Sequence, residues 1–189
     1  MRYRFLVLLA TLGSALLLHT GTAYAFVAFT EPIHRLFVFL HVFGAIIFLG
    51  NIIVSAMWMV GAKRTGDVHV LHFAAQSVVR GDRMFTLPGL LLILGPGLLI
   101  VGPWGGIPGT SWAELALALL ILSGAIWLAV LIRLQKRMVE LTRAAAEAKE
   151  GLDEHFYKLL KAWTMWGGIA TLLPLLSFYL MVFKPKWWG

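Results

Sequence analysis

Long uncharged stretches, separated by short charged ones, form the main pattern of this chain. Five spans contain no Asp, Glu, Lys or Arg: residues 5–30, 36–62, 84–113, 115–132 and 162–183. Each meets or exceeds the roughly 18–20 residues that a helix needs to cross about 30 Å of hydrocarbon. The sequence lacks the sustained alternation of polar and apolar residues that is typical of membrane-spanning strands. A helix is the other structure that satisfies all backbone hydrogen bonds in lipid. The pattern predicts an all-α, polytopic transmembrane helix bundle.

The first span differs from the other four. It combines the basic start Arg2 and Arg4 with an apolar stretch and Ala23-Tyr24-Ala25, a pattern typical of signal peptides. A stretch of 26 uncharged residues is long for a signal peptide, which favours an uncleaved transmembrane anchor. We therefore expect five helices, an N-terminal one in residues 1–30 and a four-helix bundle in residues 31–189.

Basic residues fall on one side of the predicted membrane. Thirteen of the sixteen lie near the N-terminus or in loops 61–83 and 133–161, whereas only Arg35, Lys184 and Lys186 lie on the other side. Such residues are concentrated in cytoplasmic loops. The expected location is the bacterial inner membrane, with the N-terminus in the cytoplasm and the C-terminus in the periplasm.

Within loop 61–83, apolar residues recur at helical spacing after Asp67, a suitable helix cap. This spacing predicts a short amphipathic helix on the membrane surface, followed by a membrane helix that begins near Met84. Gly95-Pro96-Gly97 is expected to kink or break that helix. In loop 133–161 the same periodicity predicts a helical hairpin that extends into the cytoplasm.

Composition narrows the classes of function. The chain is 60% hydrophobic and only 13% charged, and it contains no cysteine, which excludes disulfides, thiolate metal sites and covalently attached c-type haem. The pI near 10.1 follows from the positions of the basic residues, so we expect no nucleic-acid partner. No motif of a membrane protease or nucleotide-driven enzyme is present, and no acid lies within a span, which argues against an enzyme and a proton-coupled carrier.

One polar helix face is the leading candidate site. His41, Asn51 and Ser55 lie on one side of the second span, and His34 lies one heptad before His41. Such a face is expected to point into the bundle. His41 has two interpretations: it hydrogen-bonds a neighbouring helix, or it ligates a b-type haem together with His19 of the first span.

Arg80-Gly81-Asp82-Arg83 also has two interpretations. Arg80, Asp82 and Arg83 either bind an anionic headgroup or lock the two loops together, or they are topological charges with Asp82 as a helix cap.

Several motifs together resemble a known family. They are Leu40-His41-Val42-Phe43-Gly44-Ala45, Gly50-Asn51-Ile52-Ile53-Val54-Ser55, Val79-Arg80-Gly81-Asp82-Arg83-Met84-Phe85-Thr86 and Phe178-Tyr179-Leu180-Met181-Val182-Phe183-Lys184-Pro185. The chain resembles, over about residues 32–186, a family of bacterial predicted integral membrane proteins of unknown function. The resemblance implies a four-helix core, to which this chain adds the first span.

These observations favour a non-catalytic subunit, or an assembly or stabilising partner, of a larger membrane complex, with photosynthetic and respiratory complexes as the leading classes. The expected partners are the lipid bilayer and other membrane protein subunits. The alternative is a b-type haem protein that uses His41 for electron transfer or haem handling, with haem b as its cofactor. A small-solute transporter is a less favoured third hypothesis.

Overall fold

Four long helices account for most of residues 31–185, the part of the chain that the computed structural model describes. They are α1 (Glu31–Thr65), α2 (Val68–Ile100), α3 (Ser111–Ala148) and α4 (Glu154–Phe183). Each is long and apolar enough to cross a membrane, so the predicted four-helix core is confirmed. The predicted helix in residues 1–30 lies outside the described residues.

Helix α2 begins at Val68 rather than near Met84 as predicted. Asp67 does cap it, since its carboxylate accepts hydrogen bonds from the backbone N–H groups of His69 and Val70. The amphipathic segment continues directly into the membrane helix, and its apolar face, including Leu71, packs against protein. The prediction of a separate helix on the membrane surface is therefore wrong, because α1 and α3 supply the apolar surface that we assigned to lipid.

Helix α2 also continues without a break through Gly95, Pro96 and Gly97 as far as Ile100. A break at this motif was one of the two outcomes expected from the sequence, and it does not occur.

Close backbone approach joins α1 to α2. A Cβ atom added at Gly44 would lie 2.6 Å from the Cβ of Leu92, and one added at Gly89 would lie 2.9 Å from the Cβ of Phe48. Glycine at both positions therefore allows the two helices to pack closely, as small residues do in membrane bundles.

Two serine hydroxyls join α3 to α4. Ser123 Oγ donates to the carbonyl of Ala170 at 2.7 Å, and Ser177 Oγ donates to the carbonyl of Ala116 at 3.0 Å. Both hydroxyls are buried, so these bonds satisfy polar groups that would otherwise face an apolar interior.

The two helix pairs meet mainly at one end of the bundle, where the first half of α2 packs against the last half of α3. We call this the basic end; it contains the connections 66–67 and 149–153. Its core is a continuous apolar cluster that includes Met59, Ala62, Leu71, Ala75, Val78, Leu131, Met138, Phe156, Leu160 and Trp163. At the opposite end, Lys184 Nζ lies 4.0 Å from the centre of the Trp104 ring.

Candidate functional site

A buried carboxylate lies where the two helix pairs meet. Asp82 is only 9% exposed and lies inside α2, with helical backbone angles. Burial of a carboxylate is unfavourable unless its oxygens are hydrogen-bonded. The surroundings of Asp82 therefore determine what this position can do.

Four side-chain donors from three helices bind this carboxylate. Oδ1 accepts from Asn51 Nδ2 of α1 at 3.2 Å and from Thr86 Oγ1 of α2 at 3.0 Å. Oδ2 accepts from Trp127 Nε1 at 3.0 Å and from Gln135 Nε2 at 2.8 Å, both of α3. All four donors are neutral, and no ion pair to Asp82 is present within residues 31–185. We call these five residues the Asp82 network.

Two wide helical turns shape the network. Asp82–Thr86 in α2 and Trp127–Leu131 in α3 are both π-helical. Trp127 and Gln135 are eight residues apart, which is about 2.2 turns of a regular α-helix. The wider turn brings the eight residues close to two full turns, so both side chains point towards the same carboxylate. Such π turns are rare and are frequent at functional sites.

Close packing around Asn51 fixes its amide. A Cβ atom added at Gly81 would lie 2.5 Å from Asn51 Oδ1, so glycine is needed at this contact. Asn51 Nδ2 also donates to Thr86 Oγ1 at 2.9 Å, which links α1 to α2 beside the carboxylate. Ser55 Oγ and Trp163 Nε1 are buried nearer the basic end without a hydrogen-bond partner among residues 31–185.

The structure corrects the role of Asp82 in the Arg80–Arg83 motif. Asp82 is not a helix cap, because it lies inside a continuous helix and its side chain accepts bonds from other side chains. Arg80 Nη2 donates to Gln76 Oε1 at 2.8 Å, and Arg83 is exposed to the surroundings. Asp82 connects helices through neutral donors instead of pairing with either arginine. The expectation that the bundle interior contains no acid is likewise wrong at this position.

His41 makes a separate contact between α1 and α2. Its Nδ1–H donates to the carbonyl of Ile93 at 2.8 Å. A Cβ atom added at Gly97 would lie 2.8 Å from the same nitrogen, so the ring packs directly over this glycine. His41 and Asn51 are ten residues apart on α1, about 15 Å along the helix axis. The structure thus brings Asn51 to Asp82 and not to His41.

The other predicted candidates are distributed differently. Ser55 is buried on the inward face, as the periodicity predicted, whereas His34 is half-buried near the start of α1. His19, the proposed second haem ligand, lies outside the described residues. Within residues 31–185, no group of three or more His, Cys, Asp or Glu residues could hold a metal ion.

Residues 35–185 match the family described as "Predicted integral membrane protein (DUF2269)". The chain belongs to this family. The resemblance inferred from the sequence motifs is therefore confirmed over nearly the same residues. No curated protein and no solved structure matches the chain. Membership establishes an integral membrane protein and assigns no chemistry to it.

A second polar connection extends from the Asp82 network towards the basic end. His72 Nδ1 lies 3.0 Å from the buried hydroxyl of Thr142, and His72 Nε2 lies 3.0 Å from Gln76 Nε2. The Thr142 hydroxyl donates to the carbonyl of Met138, so His72 Nδ1–H donates to Thr142. His72 is thus a link between α2 and α3, whereas His69 is exposed.

Sequence reasoning missed Thr86, Trp127 and Gln135. The one available signal is Gln135, an uncharged polar residue on the apolar stripe of the α3 extension. The positions of the two π turns could not be read from the sequence, and without them Trp127 and Gln135 do not share a face.

Proposed function

We propose that this protein is a non-catalytic subunit or stabilising partner of a larger membrane complex, and that its basic end is the docking element. We further propose that this end faces the cytoplasm, because basic residues are concentrated there. Photosynthetic and respiratory complexes are the classes in which the search for a partner should begin. We propose no nucleic-acid partner.

The observation that carries this proposal is the length of the helices at the basic end. Helix α3 has 38 residues, or about 57 Å at 1.5 Å per residue, whereas the hydrocarbon layer is about 30 Å thick. The excess contains Arg137, Glu140, Arg143 and Glu147, all of them exposed and arranged as surface ion pairs. Such pairs contribute little to stability. A long charged arm with a packed core is suited to contact another protein.

The test is recovery of partners after the arm is changed. We expect Arg137→Glu with Arg143→Glu to reduce the amount of a stoichiometric co-purifying protein by about tenfold, the equivalent of about 1.4 kcal/mol. The measurement is quantitative mass spectrometry of the tagged protein, purified in mild detergent after cross-linking in its own membrane. Arg35→Glu, a charge reversal at the opposite end, is the control and should leave recovery unchanged. Equal recovery with both variants, or a monomer without a stoichiometric partner, would contradict the proposal.

A b-type haem protein is the second candidate, and the geometry of His41 favours it. The bond from Nδ1–H to the Ile93 carbonyl assigns the proton to Nδ1 and leaves Nε2 able to ligate iron. Metal-binding histidines usually donate their other ring N–H in this way. A second axial ligand would come from His19 or from another subunit.

An absorption spectrum separates the two candidates. If His41 holds haem, the purified protein shows a Soret band that His41→Ala abolishes and that His41→Met shifts, because methionine is an alternative axial ligand. His34→Ala is the control and should keep the band, since His34 lies elsewhere on α1. A colourless, folded protein would exclude the haem hypothesis. A small-solute transporter, the third hypothesis, would have to show uptake that depends on Asp82, the buried acid of the bundle.

A further inference from the structure

A chain of hydrogen bonds holds the side chain of Arg80 in place. It starts at the buried Thr142 hydroxyl, which donates to the carbonyl of Met138 and accepts from His72 Nδ1–H at 3.0 Å. His72 Nε2 is then an acceptor, so Gln76 Nε2 donates to it at 3.0 Å. Gln76 Oε1 in turn accepts from Arg80 Nη2 at 2.8 Å. Since Gln76 and Thr142 are neutral and His72 accepts at Nε2, the chain positions the guanidinium without compensating its charge.

Most hydrogen-bond donors of Arg80 are still available. A guanidinium carries five N–H donors in a rigid fork that matches a phosphate or a carboxylate, and Gln76 accepts from one nitrogen of this fork. Arg83 lies three residues further on, so it shares this face of α2, and both arginines are exposed. Within residues 31–185, no carboxylate forms an ion pair with either of them. Two neighbouring guanidinium groups repel each other, and an anion bound between them removes that repulsion.

A third cation, Lys136 of α3, lies at the same level. Gln135 Nε2 donates to Asp82 Oδ2 at 2.8 Å, so the residues next to Gln135 on α3 are level with those next to Asp82 on α2. Lys136 is exposed, and it too has no ion pair in the part of the chain that the structure describes. The positive charge at this level therefore comes from both helices.

This level is the edge of the hydrocarbon layer. The uncharged spans 84–113 and 115–132 both reach it, because Arg83 directly precedes the first and Arg133 directly follows the second. Long basic side chains at the ends of membrane helices extend to the lipid headgroups. Lipid phosphates are thus within reach of these cations.

The surface on the hydrocarbon side of this level is apolar. Leu87 and Leu91 follow Arg83 at intervals of four, so they continue its face of α2, and both are exposed. Leu128 of α3 is exposed as well. Here α2 packs against α1 and α3 packs against α4, which leaves these leucines open to acyl chains. A phospholipid carries its phosphate and its acyl chains in the same order as these cations and leucines.

We propose that Arg80 and Arg83 bind the phosphate of an anionic phospholipid, with Lys136 contributing from α3. The acyl chains lie against the exposed leucines of α2 and α3. A net negative headgroup is favoured over a zwitterionic one, because three cations without acidic partners would repel the ammonium group of the latter. The apolar surface beside the cations favours a lipid over a free phosphate ion.

The test is titration of the protein, purified in mild detergent, with phosphatidylglycerol, and the bound lipid is counted by native mass spectrometry. We expect Arg80→Gln with Arg83→Gln to lower the apparent affinity about thirtyfold, because each basic residue near an anionic lipid contributes about fivefold. The matched control is Arg143→Gln with Lys158→Gln, which removes two charges that pair with Glu147 and Glu154. It should lower the affinity by less than about threefold.

Gln76→Glu tests the positioning of Arg80 while both arginines are kept. The new carboxylate can still accept from Arg80, but it neutralises the guanidinium and competes with the phosphate. We expect it to lower the affinity for phosphatidylglycerol about fivefold, as loss of one arginine would. This variant also keeps the test decisive if the double arginine variant does not fold.

Four results would overturn the proposal. Equal losses in the double arginine variant and the control would show a general attraction of positive charge. Equal binding of phosphatidylglycerol and the net neutral phosphatidylcholine would show that the headgroup is not recognised. Displacement of the lipid by an equal concentration of inorganic phosphate would assign the cations to a soluble anion. A folded wild-type protein that binds no phosphatidylglycerol would assign them to an acidic segment of another protein.

Discussion

Asp82→Ala is expected to lower the free energy of unfolding by about 3 kcal/mol. Among the described residues, the substitution removes the hydrogen-bond acceptor of Gln135 Nε2, which is buried, and of Trp127 Nε1, which is half-buried. Each buried donor left without a partner costs on the order of 1–3 kcal/mol. Asn51 and Thr86 still bond to each other, so they add less to the loss.

The measurement is unfolding of the purified protein by titration with a denaturing detergent. Asp82→Asn should lower the free energy of unfolding by less than Asp82→Ala, because asparagine keeps one oxygen acceptor. It should still be destabilising, because its amide N–H₂ would face one of the donors. Glu147→Ala is the matched control for removal of an acidic side chain, since Glu147 is 73% exposed and forms a long ion pair at 3.9 Å. We expect it to change stability by less than about 0.5 kcal/mol. Equal losses for Asp82→Ala and Glu147→Ala would contradict the structural role of the network.

Gly44→Ala is expected to destabilise the protein by about 2 kcal/mol, because a methyl group does not fit between α1 and α2. The added Cβ would lie 2.6 Å from Leu92 Cβ and 2.9 Å from the carbonyl oxygen of Gly89, so the helices must move apart. Gly124→Ala makes the same chemical change in α3, where nothing lies within 4 Å of the new atom. There alanine should be neutral, or should stabilise by up to about 1 kcal/mol through its helix propensity.

A general effect of replacing glycine by alanine would change stability in the same direction in both variants. Changes of opposite sign would therefore report the local packing at Gly44. The two variants can be compared in the same denaturing titration. If both change stability by the same amount, the close approach of α1 and α2 at Gly44 does not contribute as the structure indicates.

The membrane helices were predictable because one physical rule dominates them. A helix that crosses lipid must avoid charge over about 20 residues, and this requirement is visible in the sequence. Asp67 as a cap and the inward position of Asn51 and Ser55 were predictable for a similar reason, since caps and helix faces depend on local spacing.

The start of α2 was not predictable in the same way. The amphipathic segment from Val68 to Gly81 has the same pattern whether its apolar face rests on lipid or on protein. Because the membrane spans were defined as stretches without charged residues, Asp82 was assigned to the loop before the membrane helix. The choice depends on α3, whose second half packs against that face.

Of the five residues of the Asp82 network, only Asn51 was predicted to lie on an inward helix face. Asn51 was expected on the inward face, but its partners Asp82 and Thr86 lie 31 and 35 positions away in the sequence. Trp127 and Gln135 both point towards Asp82 because the turn Trp127–Leu131 is π-helical. No residue pattern in this turn distinguishes it from a regular α-helix. Long-range contacts and local helix irregularities therefore determined the part that sequence reasoning missed.

A double-mutant cycle between Asp82 and Trp127 tests most directly whether the Asp82 carboxylate holds α2 and α3 together. The cycle compares Asp82→Ala, Trp127→Phe and the double variant in the free energy of unfolding. Phenylalanine removes the Nε1–H donor, so Asp82→Ala should cost less in that background, with a coupling of about 1 kcal/mol or more. Losses that add to within about 0.3–0.5 kcal/mol would contradict the claim.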